Sequence, residues 1–408
     1  MQKFTGFEYL MIDLANQFGL DKELFNTRIQ WAKDNLDNLE QLQDQADNKP
    51  LFIKAMMAIR KAQQKIPTGH LVGFDGVCSG IQIMSTITGC IKGAEATGLV
   101  DPNKRADAYS AVTQSMNDIL GGQGLTTTRG KAKQALMTSF YGSRAEPIKV
   151  FGEETPELNA FYQAAQATAP GAWELLQDLL ASWQAGALSH EWRLPDGYEA
   201  KVKVMVAKEA RIEVDELDHA SFTYQYYVNE GQEKGLSNVA NVVHSIDAYV
   251  LRCIHRRCNY DMSTVEAAVY WLTEALDNPV HIQKQDPAIA YYTNLYQASG
   301  IADVVIIDHL TATNVHHLSA QHIQDLLRIL DGMLEYKPFE VVTIHDEFKC
   351  HPNNMNHLRQ QYVNVLCDLA DGKVLDLILS DLYGQPVQYK KLSEDLSHYI
   401  AQSNYALT

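Results

Sequence analysis

Two acids, each closing an apolar strand-like run, constrain this chain more than any other feature: Asp75 in LVGFDGVCSGIQ and Asp346 in VVTIHDEF. They lie far apart in sequence, so a fold that uses both must bring two distant strand ends together. Between them, RGKAKQALMTSFYGS sets Arg129, Lys133, Met137 and Tyr141 at four-residue intervals, which a helix presents as one stripe. Carboxylates on rigid strand ends suit a pair of divalent ions, and a cationic helix suits a triphosphate. Arg129 is fitted for bidentate phosphate contacts and Lys133 for a point charge. Magnesium keeps several waters, so Asp75 and Asp346 with phosphate oxygens are enough to complete its shell.

Each piece alone has an ordinary explanation. An Asp after a strand is commonly a turn-former, and Arg and Lys four apart are commonly a solvated basic face. The reversed pairs Asp218-His219 and Asp308-His309 carry no assigned role. What raises the reading is the joint occurrence of these strings, in this order, with the longer sequences around them.

Those strings resemble the single-subunit DNA-dependent RNA polymerases of bacteriophages and mitochondria. FDGVCSGIQ is similar to their first palm motif, RGKAKQALMTSFYGS to their fingers helix, and TIHDEF to their second palm motif. GFEYLMIDLANQFGLDK, ADAYSAVTQSMNDIL, ANVVHSIDAYVLR and the terminal NYALT also have counterparts, so the likeness runs from about Phe7 onward in the family's order.

The resemblance implies an α+β, mostly helical fold of right-hand polymerase architecture. It divides the chain into a helical entry segment with palm (1–102), fingers (103–236), palm (237–258), an insertion (259–335), and palm with a C-terminal foot (336–408). It implies two Mg2+ ions held by Asp75 and Asp346, with the Gly76 carbonyl as a further ligand. Arg129 and Lys133 would contact nucleotide phosphates. Tyr141 would discriminate ribose from deoxyribose, Gly142 would allow close packing at the helix end, and His345 would lie near the primer end. Val250 departs from the pattern, standing where relatives carry a histidine.

DNA polymerases share the carboxylates and the helix. They usually carry a bulky acid shortly after the first aspartate and an aromatic residue at the position of Met137, whereas Gly76 to Ser79 leave room; Glu347 is the one local feature on their side. A third reading is a non-catalytic DNA-binding or assembly subunit, disfavoured because such a module needs neither acid nor the Arg-Lys-Tyr stripe.

The formal charge is −16, from 34 Lys+Arg against 50 Asp+Glu, and an acidic chain repels nucleic acid as a whole. Positive charge is therefore expected to be focused in a channel lined by Arg129, Lys131, Lys133 and Arg144, or to come from a partner. The family's N-terminal region and arginine-containing strand motif have no counterpart here. The expected partner is thus a smaller polymerase subunit supplying them, alongside DNA template, nascent RNA, ribonucleoside triphosphates and an accessory DNA-binding factor.

Residues 200–235 alternate in polarity and are expected to form extended ribbons, at the position of the family's promoter-reading hairpin. Protective lysines on edge strands are the plain alternative. Helices are expected from Phe7, from Trp31 to Leu42, from Ala106 to Leu120, from Arg129 with a cap among Thr126 to Thr128, and from Ser319. The six cysteines show no framework spacing, apolar stretches such as VVII are too short to cross a membrane, and there is no signal-peptide pattern. The expected location is the reducing cytoplasm of an infected bacterial host. Cys253, His255, Cys258, Cys350 and His351 do not have the spacing of a zinc module, and His316, His317 and His322 are read as polar positions at a helix start.

Overall fold

The computed structural model describes residues 1–281 and 286–408. Helices dominate, and the strands are few: β1 (Val72–Asp75), β2 (Ser189–Arg193), β3 (Glu199–Lys203), β4 (Met205–Val214), β5 (Ala220–Asn229), β6 (Val342–Ile344) and β7 (Glu347–Cys350). They form antiparallel sheets β1-β7-β6, β2-β3 and β4-β5. The class is α+β and mostly helical, as the sequence indicated.

The β1-β7-β6 sheet carries both acids. Asp75 ends β1 opposite Glu347, and β6 and β7 are joined through His345 and Asp346 alone. So tight a connection forces His345 into the left-handed region (φ 55), costly for a residue with a Cβ. On the other edge of β1 the chain's last residues add extended pairing: Asp75 N–H donates to the Thr408 carbonyl (3.2 Å), and Thr408 N–H donates to that of Asp75 (3.0 Å).

An aromatic cluster lies beneath this sheet. Phe74, 1% exposed on β1, stacks on Phe25 at 5.6 Å between ring centroids, and Phe25 stacks on Tyr405 at 4.7 Å. The buried Arg359 guanidinium sits 4.8 Å from the Phe25 ring centre and is satisfied by Tyr9 Oη and by the carbonyls of Gln2 and Asn404. Full burial of such aromatic rings outweighs any single polar contact here. The ending NYALT is therefore part of the core that anchors β1.

Two buried helices brace the sheet from behind. Ser79–Thr88 is buried from Gly80 onward, which requires its polar groups to find partners inside. Gln82 Nε2 donates to the carbonyls of Thr97 and Ala406, Gln82 Oε1 accepts from Tyr362, and Thr86 and Thr88 donate back to carbonyls of their own helix. The Ser237–Cys258 helix, 22 residues long, buries Val239, Val242, Ile246, Val250 and Cys253 along one side. Val250, at the position where the family's histidine was expected, is part of that buried side.

Several expectations need correction. The Trp31–Leu42 stretch is broken into Phe25–Asn35, a 3-10 turn and Leu39–Leu42. Pro50 opens a helix, Lys49–Gln63, because proline in a first turn loses no hydrogen bond; Asn48 caps it. Thr128 occupies the N-cap position of Arg129–Ser139, but its side chain makes no capping bond. His322 does lie in the first turn of a helix, Ala320–Leu334, but is buried there, its ring stacked on Tyr296 at 3.9 Å.

The 259–335 segment builds a hydrophobic core of its own, centred on Leu272, Ile289, Leu326 and Leu330. Cys253, Cys258 and Cys350 are buried, and burial pushes all three thiols up, which suits inert core residues rather than metal ligands. Among the described residues no helix is long and apolar enough to cross a membrane.

Candidate active site

The strand ends open into a cavity of about 1100 Å3, whose lining includes Asp75, Gly76, Arg129, Met137, Tyr141, His345 and Asp346. Residues separated by most of the chain are thus gathered at one place. The closest tie between the two acid-bearing segments is a backbone bond, Gly76 N–H to the Asp346 carbonyl at 3.0 Å. Gly76 cannot readily carry a side chain, since a Cβ there would sit 3.1 Å from Tyr362 Oη.

Among the described residues, neither the Asp75 nor the Asp346 carboxylate accepts a side-chain hydrogen bond or has a cation within ion-pair distance. Burial, then Glu347, then Asp346, push the Asp75 carboxyl up to about 6. Asp247 joins them from the Ser237–Cys258 helix, pushed up to about 6 by burial and by Asp346. The cause is physical crowding of like charge in a partly desolvated floor. The lining holds Asp21, Asp75, Asp107, Asp247, Asp346 and Glu347 against Lys22, Arg105 and Arg129. An anionic ligand is repelled by this balance unless cations neutralise it. Unpaired, hard-oxygen donors at the end of a rigid sheet are the donor set that Mg2+ prefers, so the residues fit divalent metal.

These shifts fix a pH dependence. Asp75 and Asp247 hold their protons more tightly folded than at the unfolded value of about 3.9, so the folded state binds more protons between those pH values. Their contribution favours folding at low pH and is lost as pH rises through about 6. Metal-free Asp75→Asn is therefore expected to melt higher than wild type at pH 7.5, with the advantage shrinking toward pH 4.5. Calorimetry across that range checks it; an equal or lower melting temperature at pH 7.5 would contradict the crowding.

The helical stripe is realised in part. Arg129 reaches the cavity, where its Nε donates to Asp107 (2.7 Å) and its guanidinium lies 5.4 Å from the Tyr109 ring. Asp107 in turn caps the Ala108–Leu120 helix, so Arg129 is held by a fixed carboxylate. Lys133 is not in the lining; its Nζ rests 5.6 Å from the Tyr109 ring centre. The helix ends at Ser139, and Tyr141 follows in a turn, with Tyr141 N–H donating to the Thr138 carbonyl.

Gly142 does not serve close packing as expected. A Cβ there would meet nothing nearer than 3.8 Å, and the requirement is its positive φ of 92. The close approach belongs to Gly80, where a Cβ would come within 2.5 Å of Tyr141 Oη. Of the four cations expected to line a positive channel, only Arg129 lies in the cavity lining; Lys131, Lys133 and Arg144 do not, while Lys22 and Arg105 do.

Sequence reasoning missed His244 and Asp247. They stand three apart on the Ser237–Cys258 helix with Leu251 one turn further, all in the lining, and the His244 ring lies 4.9 Å from that of Tyr141. Two polar residues at helical spacing within the mostly apolar middle of that helix, HSID in ANVVHSIDAYVLR, were the signal available.

Residues 3–149 match the family model described as DNA-dependent RNA polymerase. The mitochondrial DNA-directed RNA polymerase of Neurospora crassa is 25% identical over 187 residues, 38% of this chain and 13% of that protein. DNA-directed RNA polymerase 2, chloroplastic/mitochondrial, of Arabidopsis thaliana is 25% identical over 218 residues, 42% and 22% of the two chains. The DNA-directed RNA polymerase of Pseudomonas phage phiKMV is 29% identical over 145 residues, 31% and 18%. The matched stretches thus span less than a quarter of each relative's length. Nothing in these matches supports the expected smaller partner subunit. Over residues 3–149, which carry the first strand-end acid and the cationic helix, the chain is similar to the DNA-dependent RNA polymerase family, and the relatives it matches include mitochondrial and phage DNA-directed RNA polymerases.

Proposed function

We propose that this chain carries the nucleotide-adding site of a DNA-templated RNA polymerase, extending the RNA 3′ end from ribonucleoside triphosphates during phage transcription in a bacterial host. The observation that carries the reading is the pair of unpartnered strand-end acids, Asp75 and Asp346, facing a cavity together with Arg129 and Tyr141. Asp75 and Asp346 would hold two Mg2+ ions, with the Gly76 carbonyl as an added ligand. Bound there, the ions would lower the pKa of the attacking hydroxyl and neutralise the departing pyrophosphate.

The chain's own residues do the rest. Arg129, kept extended by Asp107, would offer its remaining N–H groups to the triphosphate, and Lys133 would need to swing from Tyr109 to add its charge. His345, held at positive φ in the β6–β7 connection, would border the primer end, and Gly142 would set the turn that carries Tyr141. Burial holds the Tyr141 hydroxyl well above its ordinary pKa, so it stays protonated and able to donate to a ribose 2′-hydroxyl.

The discriminating experiment measures RNA-primer extension on a DNA template with either ribo- or deoxyribonucleotides. Wild type is expected to prefer ribonucleotides, and Tyr141→Phe to lose that preference by about ten-fold or more, the value of one hydrogen bond that goes unmade. Preference for deoxyribonucleotides by wild type would favour a DNA polymerase. Unchanged selectivity in Tyr141→Phe would remove Tyr141 from this role.

A further inference from the structure

The β4–β5 ribbon stands apart from everything above. It pairs ten residues with ten, Met205 with Asn229 through Val214 with Ala220, and among the described residues it belongs to no larger sheet. The register puts Val206, Ile212, Phe222, Tyr224, Tyr226 and Val228 on one face, with Lys208 opposite Tyr226 as the one cation on that face. Among the described residues none covers that face at its centre: Ile212 is 49% exposed, Phe222 54% and Tyr224 47%. A lone two-stranded ribbon is marginal in water, and an apolar face of this extent marks a contact surface.

Its charge decides what the contact is. From Ile212 to Glu233 there is no Lys or Arg, while Glu213, Asp215, Glu216, Asp218, Glu230 and Glu233 supply six acids. Four of these cluster at the tip, where His219 lies 3.0 Å from Glu213 and 3.3 Å from Asp215. Of the two nearby cations, Lys208 is paired with Glu230 at 2.7 Å and Arg211 donates to Ser221 Oγ at 2.6 Å. A ribbon in a DNA groove sets its tip between two rows of phosphates, and this tip would be repelled by both. A second copy would bring the same acids against themselves.

We infer that the β4–β5 ribbon is a docking site for a protein whose contact surface is apolar at its centre and rimmed with Lys and Arg. Such a partner covers the Phe222-Tyr224 face and meets the acidic tip, with hot-spot aromatics at the centre of the interface. The assignment replaces the promoter-reading role expected from sequence position, and it stands whether or not the chain makes RNA.

The test has two arms on the full chain. In the first, anisotropy with labelled 30-base-pair duplex and 30-nucleotide single-stranded DNA compares wild type with the double variant Phe222→Ser, Tyr224→Ser. Both residues are exposed, so the variant is expected to melt with wild type and to bind both DNAs within two-fold of it. In the second, a photo-crosslinking amino acid at Tyr226 is irradiated in cells that naturally express the chain, and the adduct is identified by peptide sequencing. A protein adduct joined through a Lys- or Arg-rimmed apolar segment is expected. The purified partner should then bind the double variant at least ten-fold more weakly, and neutralising Glu213, Asp215, Glu216 and Asp218 should flatten the salt dependence of binding. A nucleic-acid adduct, an adduct only to a second copy, no adduct, or a ten-fold loss of DNA affinity in the double variant would each overturn the inference.

Discussion

Asp346→Asn is expected to lower the rate of nucleotide addition by at least about 10^3-fold, comparable to removing a group that acts only where charge develops in the transition state, while leaving the fold intact. The reason is local. Asp346 forms half of a two-residue strand connection whose backbone carbonyl, not its carboxylate, is bonded to Gly76. The amide isostere therefore keeps the hairpin and removes only charge. Because Asp346 also raises Asp75 and Asp247, the variant should melt at or above the wild-type temperature in the absence of metal. Primer extension and calorimetry on one preparation separate the two effects. Near wild-type extension would contradict the catalytic role, and a sharp loss of thermal stability would mean that Asp346 is structural.

Phe74→Ala is expected to cost about 3–5 kcal/mol, the usual range for emptying a buried phenylalanine site, and to be the most damaging single truncation near the site. Phe74 contacts Tyr9 at 5.8 Å and Phe25 at 5.6 Å between ring centroids, with the Arg359 guanidinium 6.0 Å from its ring. The cluster is stiff because packed rings and a buried cation bonded to neutral groups leave little room for collapse into the void. Asp75 follows Phe74 directly on β1, so the variant should also lose metal-dependent activity beyond what its unfolded fraction explains. Urea unfolding measures the first effect; a loss under about 1 kcal/mol would show that the cluster does not anchor the strand.

What could be read from residues alone was the placement of side chains that rests on rigid, local pattern. An acid closing an apolar run is visible in sequence because a short strand and its end are set by neighbours, and both acids meet the same cavity. Arg129 was legible for the same reason. Lys133 lies outside the cavity lining because four-residue spacing specifies a face but not how far a long side chain leans, and here it leans on Tyr109. Asp247 and His244 escaped because their helix is mostly buried and its polar positions become meaningful only when the sheet packs beside them.

The ribbon is a different kind of lesson. Alternation predicted the strands β4 and β5 correctly, yet alternation is silent about which face is covered. The decisive facts were the missing basic residues, which are plain in the sequence, and the uncovered aromatic face, which needs the register. The core built by residues 265–333 was likewise visible as helical periodicity in Ser319–Leu334 but not as a separate cluster.

If Asp75 and Asp346 jointly hold divalent metal where a nucleoside triphosphate binds, anomalous scattering from crystals grown with Mn2+ and a ribonucleoside triphosphate will show it. Manganese peaks are expected within coordination distance of both carboxylates, with triphosphate oxygens between them and Arg129. Manganese found elsewhere, or carboxylates that remain unligated while triphosphate is bound, would contradict it.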